Sequence, residues 1–343
     1  MYKLLFGCLI IFPLLLSNMT SVKVEQFDKS EIDHFPIAWM LKELGNPVPS
    51  HYMEKYDEDK ALIGESLIYS GYAMTDGKKS KRISPYFVCT DCHNLVPEFD
   101  KLNGQNPEDR LDNSIKKGIP FMPGSTFYGI YNRSTFYNGD YVRKYGDAVI
   151  NARDTLSNAV QVCAKYCSAG RYLEDWELEA IMHWFKKNEL HMSDLELTPN
   201  QKKNLLKYQQ LDANEKQELS KVINDQLVGG YDATFLPAMP REERKYGEGG
   251  DAERGEVIYE KSCLHCHLNK RVTYMHLDHD KLSARMFWRN RKNYSDKSLY
   301  QIIRYGTYSK KGRQQYMPLY TKEKMSDKQL NDLFAYIKEL AGK

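Results

Sequence analysis

The chain of 343 residues carries 49 Lys and Arg residues against 46 Asp and Glu residues, and 41% of its residues are hydrophobic. The formal net charge of +3 lies far below the basic excess typical of nucleic-acid-binding proteins, so we expect no nucleic acid as a partner. The composition is that of a globular protein, and the length favours about two domains.

The first residues have the pattern of an export signal. Lys3 precedes an apolar run at residues 4–16, and a short polar segment follows to Ser21. The run is shorter than the roughly 20 residues that a membrane-spanning helix needs. We therefore expect residues 1–21 to be a signal peptide or a short anchor and the mature chain to be periplasmic. If the segment stays uncleaved, the N-terminus is the contact with the membrane.

Beyond Cys8 of the export segment, the six remaining cysteines fall into three close pairs. Two of these pairs are followed by histidine in the spacing C-x-x-C-H, which attaches a c-type haem. The two motifs consist of Cys89, Cys92 and His93, and of Cys263, Cys266 and His267. In each motif the cysteines bind the haem vinyl groups and the histidine binds the iron. We expect two covalently attached haem c groups, with zinc sites or disulfides as the alternatives.

The second motif lies in residues 251–343, which resemble a class I cytochrome c domain. Gly255, Tyr259 and Cys263 share one helical face before the motif, and Ser326 opens an amphipathic helix after it. The resemblance implies that the fold is helical and that this domain holds the second haem.

The same resemblance implies that Met317 is the distal iron ligand of the second haem. Met317 precedes Pro318 and lies a short distance before the final helix, whereas Met275, Met286 and Met325 lack this context. Ligation of iron by His267 and Met317 suits an electron carrier, because it raises the haem potential.

Residues 31–195 repeat this plan as a first cytochrome c-like domain. A closing helix predicted at residues 174–190 aligns with the final helix at an offset of 152 residues, which pairs Ile181 with Leu333 and Trp184 with Tyr336. The sequence Met122-Pro123 resembles a distal methionine loop, so Met122 is the predicted iron ligand opposite His93. A Tyr-rich insertion at about residues 124–170 is expected to cover a haem edge or build a substrate pocket.

Cys163 and Cys167 form the third cysteine pair, at a helical spacing of four residues. A local disulfide, a metal site and ligation of the first haem iron are the three interpretations. The run from Leu156 to Leu173 resembles exported dihaem thiosulfate dehydrogenases, in which a Cys seven residues before a Gly binds the catalytic haem. Cys163 and Gly170 keep this spacing, so the resemblance implies that Cys163 competes with Met122 as the iron ligand.

Residues 196–250 are predicted to connect the two domains. Thr198 before Pro199, and Asp212 with Glu215, are helix starts, so two short helices are expected, packed between the haem domains. Residues 227–250 are rich in Gly and Pro and predict an extended linker. The fold class is therefore mostly α, with tandem class I cytochrome c-like domains.

The motifs predict a periplasmic dihaem cytochrome c that passes single electrons between redox partner proteins. Residues 251–343 carry a net charge of +8 and the remaining chain a net charge of −5, so an acidic partner for the C-terminal domain is one interpretation. The alternative is a thiosulfate dehydrogenase-like oxidoreductase that uses Cys163, with Arg133, Arg153 and Arg171 near the anion. A third interpretation is a docking cytochrome of a membrane oxidoreductase, held at the membrane by an uncleaved N-terminus.

Overall fold

The computed structural model describes residues 32–234, 239–268, 272–273, 275–294, 297–307 and 317–343, so the predicted export segment lies outside the described residues. Within these ranges, no helix combines the length and the apolar character that crossing a bilayer requires. The described chain is mostly α-helical, as predicted, with one small two-stranded hairpin.

The α-helices and strands are numbered in chain order. The α-helices are α1 Ile37–Glu43, α2 Glu58–Ser70, α3 Pro107–Lys117, α4 Tyr141–Tyr145, α5 Leu156–Val162, α6 Asp175–Lys187, α7 Pro199–Leu205, α8 Ala213–Asn224, α9 Ala252–Ile258, α10 Leu264–His267, α11 Lys281–Asn290, α12 Leu299–Tyr305 and α13 Asp327–Leu340. The strands are β1 Met74–Thr75 and β2 Lys78–Lys79, and π-helical turns occupy Cys163–Cys167 and Tyr259–Cys263. Short 3₁₀ turns occupy Ile32–His34, Cys89–Asp91, Ile130–Asn132, Gly146–Ala152, Met192–Asp194, Tyr208–Gln210 and Arg241–Glu243.

Two helix pairs cross in the same way, each at a glycine. A Cβ atom placed on Gly64 of α2 would lie 2.1 Å from the carbonyl oxygen of Ala180 in α6. A Cβ atom placed on Gly255 of α9 would lie 2.0 Å from the carbonyl oxygen of Asp332 in α13. Only glycine permits this closeness of two helix backbones. Ala180 and Asp332 are separated by the same 152 residues as the predicted alignment of α6 with α13.

Each crossing belongs to its own hydrophobic core. In the first core, α2 and α6 pack against residues of the insertion, including Tyr131, Val149 and Leu156. The second core contains α9 and α11–α13 but also Leu111 and Phe121 from the first half of the chain. The segment from α3 to Phe121 therefore packs against the second half.

Helices α7 and α8 begin at the predicted caps but do not pack between the two cores. The side chain of Thr198 accepts a hydrogen bond from the Gln201 amide, and that of Asp212 accepts from the Asn214 and Glu215 amides. Their apolar residues form a third cluster with α1 and the segment after α6. The expected position was wrong because α1, which the sequence did not distinguish, supplies the apolar face that they cover.

Candidate haem-binding site

The first C-x-x-C-H motif forms a tight turn that follows α2 and the hairpin. The Asp91 carboxylate accepts a hydrogen bond of 2.8 Å from the Val88 amide, and the His93 amide donates to the Cys89 carbonyl oxygen. The His93 Nδ1 atom lies 2.6 Å from the Ser125 carbonyl oxygen, and its ring stacks on Phe127 at 4.3 Å. This hydrogen bond occupies Nδ1 and leaves Nε2 for a metal. Burial lowers the pKa of His93 to about 4, which keeps the imidazole neutral.

The loop that carries Met122 lies beside the His93 ring. The Gly124 amide donates a hydrogen bond of 3.0 Å to the Cys92 carbonyl oxygen, and a Cβ atom on Gly124 would lie 2.7 Å from His93 Nδ1. The Arg110 guanidinium donates to the Met122 carbonyl oxygen at 2.6 Å. Met122 itself is buried, and it is not among the described residues that line the neighbouring cavity. The structure thus places the backbone of the Met122 loop beside His93, and ligation of the iron by Met122 stays a prediction.

A cleft that is open to solvent adjoins the first motif, and its space of about 1600 Å³ includes that open solvent. Cys89, Cys92 and His93 line it together with apolar residues of α2, α5 and α6 and with tyrosines of the insertion. A large apolar cavity with two thiols and a neutral imidazole on its wall fits a covalently bound haem. The predicted insertion therefore contributes to the wall of this site.

Cys163 and Cys167 line the same cavity, and both are thiols. Their side chains are in hydrogen-bond contact, which lowers the pKa of Cys167 to about 6 against the opposing effect of burial. Cys167 Sγ also lies 3.5 Å from Tyr145 Oη and 3.6 Å from Tyr137 Oη. The pKa of Cys163 is raised by the Cys167 contact and by burial. Cys167 is thus the sulfur of the pair that contacts the tyrosine hydroxyls.

Sequence reasoning chose Cys163 from its spacing to Gly170 and gave Cys167 no separate role. The signal that could have identified Cys167 is the run of tyrosines at residues 137, 141 and 145, one helical turn apart. Of the three arginines considered for an anion, Arg133 lines the cavity, whereas Arg171 forms an ion pair of 2.6 Å with the buried Glu177. Arg153 is exposed.

The second motif continues from the π-helical turn into α10. His267 Nδ1 lies 2.8 Å from the Met275 carbonyl oxygen, and burial lowers the pKa of His267. The backbone of Met317 pairs with Thr307, whose side chain accepts a hydrogen bond of 2.8 Å from the Met317 amide. Among the described residues, no hydrogen bond joins Met317 to the second motif. Tyr316, its neighbour in the predicted distal loop, lies outside the described residues.

The two motifs are in contact. Cys266 Sγ lies 3.9 Å from the carbonyl oxygen of Asp91, which is inside the first motif. Phe121 anchors the interface, because its carbonyl oxygen accepts hydrogen bonds from Ser262 Oγ at 3.0 Å and Tyr320 Oη at 2.8 Å. Residues 318–324 of the second half also reach the cavity of the first motif.

Comparison with known families matches residues 250–337 to the family described as cytochrome C oxidase, cbb3-type, subunit III. The matched segment contains the second motif and helices α9 to α12, and it ends within α13. Neither the curated proteins nor the solved structures returned a match to the chain. Residues 250–337 therefore form a cytochrome c domain, of the kind that binds haem c covalently and transfers electrons to and from redox partners.

Proposed function

We propose that the chain is an exported dihaem c-type cytochrome that passes single electrons between redox partner proteins. The contact between Cys266 and Asp91 carries this proposal, because it brings two haem-attachment motifs together in one molecule. Haem supplies a one-electron couple, and the polypeptide supplies the ligands, the burial and the path between the two groups.

The ligands proposed for the two irons differ. His267 and Met317 hold the second haem, as the family match of this segment supports. His93 holds the first haem together with a sulfur of the Cys163–Cys167 turn, because this turn lines the cavity and Met122 does not. Cys167 is the favoured ligand, since its contacts with Cys163, Tyr145 and Tyr137 stabilise the thiolate that iron binds.

Haem stoichiometry tests the proposal. The exported protein is expected to hold two haems per chain, measured from the absorbance of the alkaline pyridine complex against protein mass. The double variant Cys89→Ser/Cys92→Ser and the double variant Cys263→Ser/Cys266→Ser are each expected to hold one. Cys163→Ala is the matched control and is expected to keep two. One haem in the unsubstituted protein refutes the dihaem assignment.

The basic C-terminal segment is proposed as the docking surface for an acidic redox partner. Its net charge of +8 contrasts with −5 for the remaining chain. Complementary charge accelerates encounter at low ionic strength and is screened by salt. The oxidation rate of the reduced protein by an acidic redox protein is therefore expected to fall with added salt, whereas the rate with a basic redox protein is expected to stay level or rise.

A sulfur-anion oxidoreductase is the second candidate, and the thiol pair in the first cavity favours it. The resemblance of residues 156–173 points to thiosulfate. Joining two thiosulfate anions into tetrathionate releases two electrons, which equals the capacity of two one-electron haems. Turnover of thiosulfate with an artificial electron acceptor, lost in Cys163→Ala or Cys167→Ala, supports this candidate. Absence of turnover in a protein that holds both haems removes it.

A further inference from the structure

Three buried polar side chains in the wall of the first cavity each have a donor or a charge that no hydrogen bond or ion pair with another described residue satisfies. Arg133, Thr321 and Lys324 are 5%, 4% and 6% exposed. Arg133 donates to the Thr126 carbonyl oxygen, but its Nε atom has no hydrogen-bond partner within the described part of the chain, and neither has Thr321 Oγ1. Lys324 has no carboxylate within ion-pair distance among the described residues. Such groups are costly to bury unless a ligand satisfies them.

The neighbouring carboxylates do not neutralise these cations. Glu98 forms its ion pair with Arg110, at 2.7 Å. Glu323 accepts hydrogen bonds from the amide and hydroxyl of Thr234, and Asp232, which also lines the cavity, is exposed.

Both cations instead lie over the ring of Tyr231. Lys324 Nζ is 4.1 Å from the ring centre, and Arg133 Cζ is 4.9 Å from it. Burial lowers the pKa of Lys324 to about 7, and Arg110 adds to this effect. Two buried cationic side chains therefore face the cavity, and no buried carboxylate among the described residues forms an ion pair with either of them.

We propose that Arg133, Thr321 and Lys324 bind the propionate carboxylates of the haem attached to Cys89 and Cys92. Two propionates carry two negative charges, which equals the unpaired positive charge of Arg133 and Lys324, and their oxygens accept from the orphaned donors. The inference rests on the proposed function only in requiring a haem at the first motif. It also means that the second half of the chain, through Thr321 and Lys324, completes the site of the first haem.

Spectroelectrochemical titration of Lys324→Met in the full-length dihaem protein tests the charge. A cation near the haem stabilises the reduced form, so its loss is expected to lower the midpoint potential of one of the two haems. The equilibrium constant for reduction of that haem is expected to fall about tenfold, which corresponds to a midpoint potential lower by about 59 mV for a one-electron couple. Lys322→Met removes an exposed lysine of the same segment, which pairs with Asp327, and is expected to leave both potentials unchanged. Lys324→Arg is expected to retain the original value.

Thr321→Val tests the hydrogen bond without a change in charge. It is expected to shift the propionate-bending band in the resonance Raman spectrum of one haem. The equilibrium constant for reduction of that haem is expected to change less than twofold.

The mass of the peptide that contains Cys89–Asp91 first establishes whether haem is attached there. Absence of haem from this peptide overturns both this inference and the proposed function. With haem attached, an unchanged potential in Lys324→Met or an unchanged band in Thr321→Val overturns the inference alone. A loss of affinity for an added oxyanion such as sulfite, without either change, assigns the site to a free anion and also overturns it.

Discussion

Cys266 Sγ lies 3.9 Å from the carbonyl oxygen of Asp91, so a thioether-forming cysteine of one motif touches the backbone of the other. Burial raises the pKa of Cys92, and the proximity of Cys266 adds to this effect. A path between the two attachment sites therefore crosses a single van der Waals contact between residues of the two motifs.

This contact predicts fast electron exchange between the two haems. An electron delivered by a radiolytic pulse to the oxidised protein is expected to distribute between them in a first-order process. Its rate is expected to be independent of protein concentration, because the exchange occurs within one molecule. Transient absorption at two wavelengths that separate the haems measures it. A rate that rises in proportion to protein concentration contradicts the short internal path.

The glycine crossings predict two strongly destabilising substitutions. Gly64→Ala and Gly255→Ala place a methyl group about 2 Å from a carbonyl oxygen of the facing helix, so the helices must separate. Each is expected to lower the free energy of unfolding by about 3 kcal/mol, as overpacked cores do. Denaturant titration followed by far-ultraviolet circular dichroism measures the loss.

Gly229→Ala is the matched control for these two substitutions. The nearest atom to a Cβ on Gly229 would be the flexible Ser134 hydroxyl oxygen at 3.3 Å, and its backbone does not adopt a positive φ. Its free energy of unfolding is expected to stay within about 0.5 kcal/mol of the original. An equal loss of unfolding free energy in all three variants would show that the close approach of the helix backbones at the crossings is not its cause.

Local rules predicted the helices that begin at a recognisable cap, because the determinants of a cap lie within one turn of sequence. The side chain of Ser326 caps α13, and that of Thr198 caps α7, as the sequence indicated. The glycine of the second crossing was also visible, since Gly255 shares a helical face with Tyr259 and Cys263.

The contacts of the Met122 loop were not predictable in the same way, because a Met-Pro-Gly sequence does not specify which side chain binds its backbone. Arg110 makes these contacts, because it is 12 residues away from both Glu98 and Met122 and binds both of them. Likewise, the preference for Cys167 over Cys163 depends on tyrosines 22 and 30 residues earlier in the chain, which the spacing of the cysteines does not reveal.

Glu98 predicts a defined loss of stability in acid. Burial raises the pKa of Glu98, but Arg110 and Lys324 outweigh it and hold the value at about 2, below the ordinary 4.5. A lowered folded-state pKa contributes stability that is complete above pH 4.5 and is lost as the pH falls towards 2. The expected loss is about 3 kcal/mol, measured by urea unfolding across this pH range.

Glu98→Gln is expected to weaken that pH dependence and to destabilise the protein at pH 7. Removing the carboxylate leaves the Arg110 guanidinium, which is 1% exposed, buried without its counterion, at a cost of about 3–5 kcal/mol. Asp100→Asn is the control, because Asp100 pairs with Lys116 at the surface and such pairs contribute less than about 1 kcal/mol. An unchanged acid profile in Glu98→Gln shows that another group controls this range.

The far-red spectrum of the oxidised protein distinguishes the proposed iron ligands. Methionine bound to ferric haem gives a weak charge-transfer band there, and a cysteine sulfur does not give the same band. Because Met122 is not among the described residues that line the cavity, the band is expected to have the intensity of one haem. Met317→Leu is expected to abolish it, whereas Met122→Leu is expected to leave it unchanged. Cys167→Ser is expected to alter the electron paramagnetic resonance of the first haem alone. A band of twice this intensity, halved by Met122→Leu, would instead place methionine on both irons and remove the thiolate from the first.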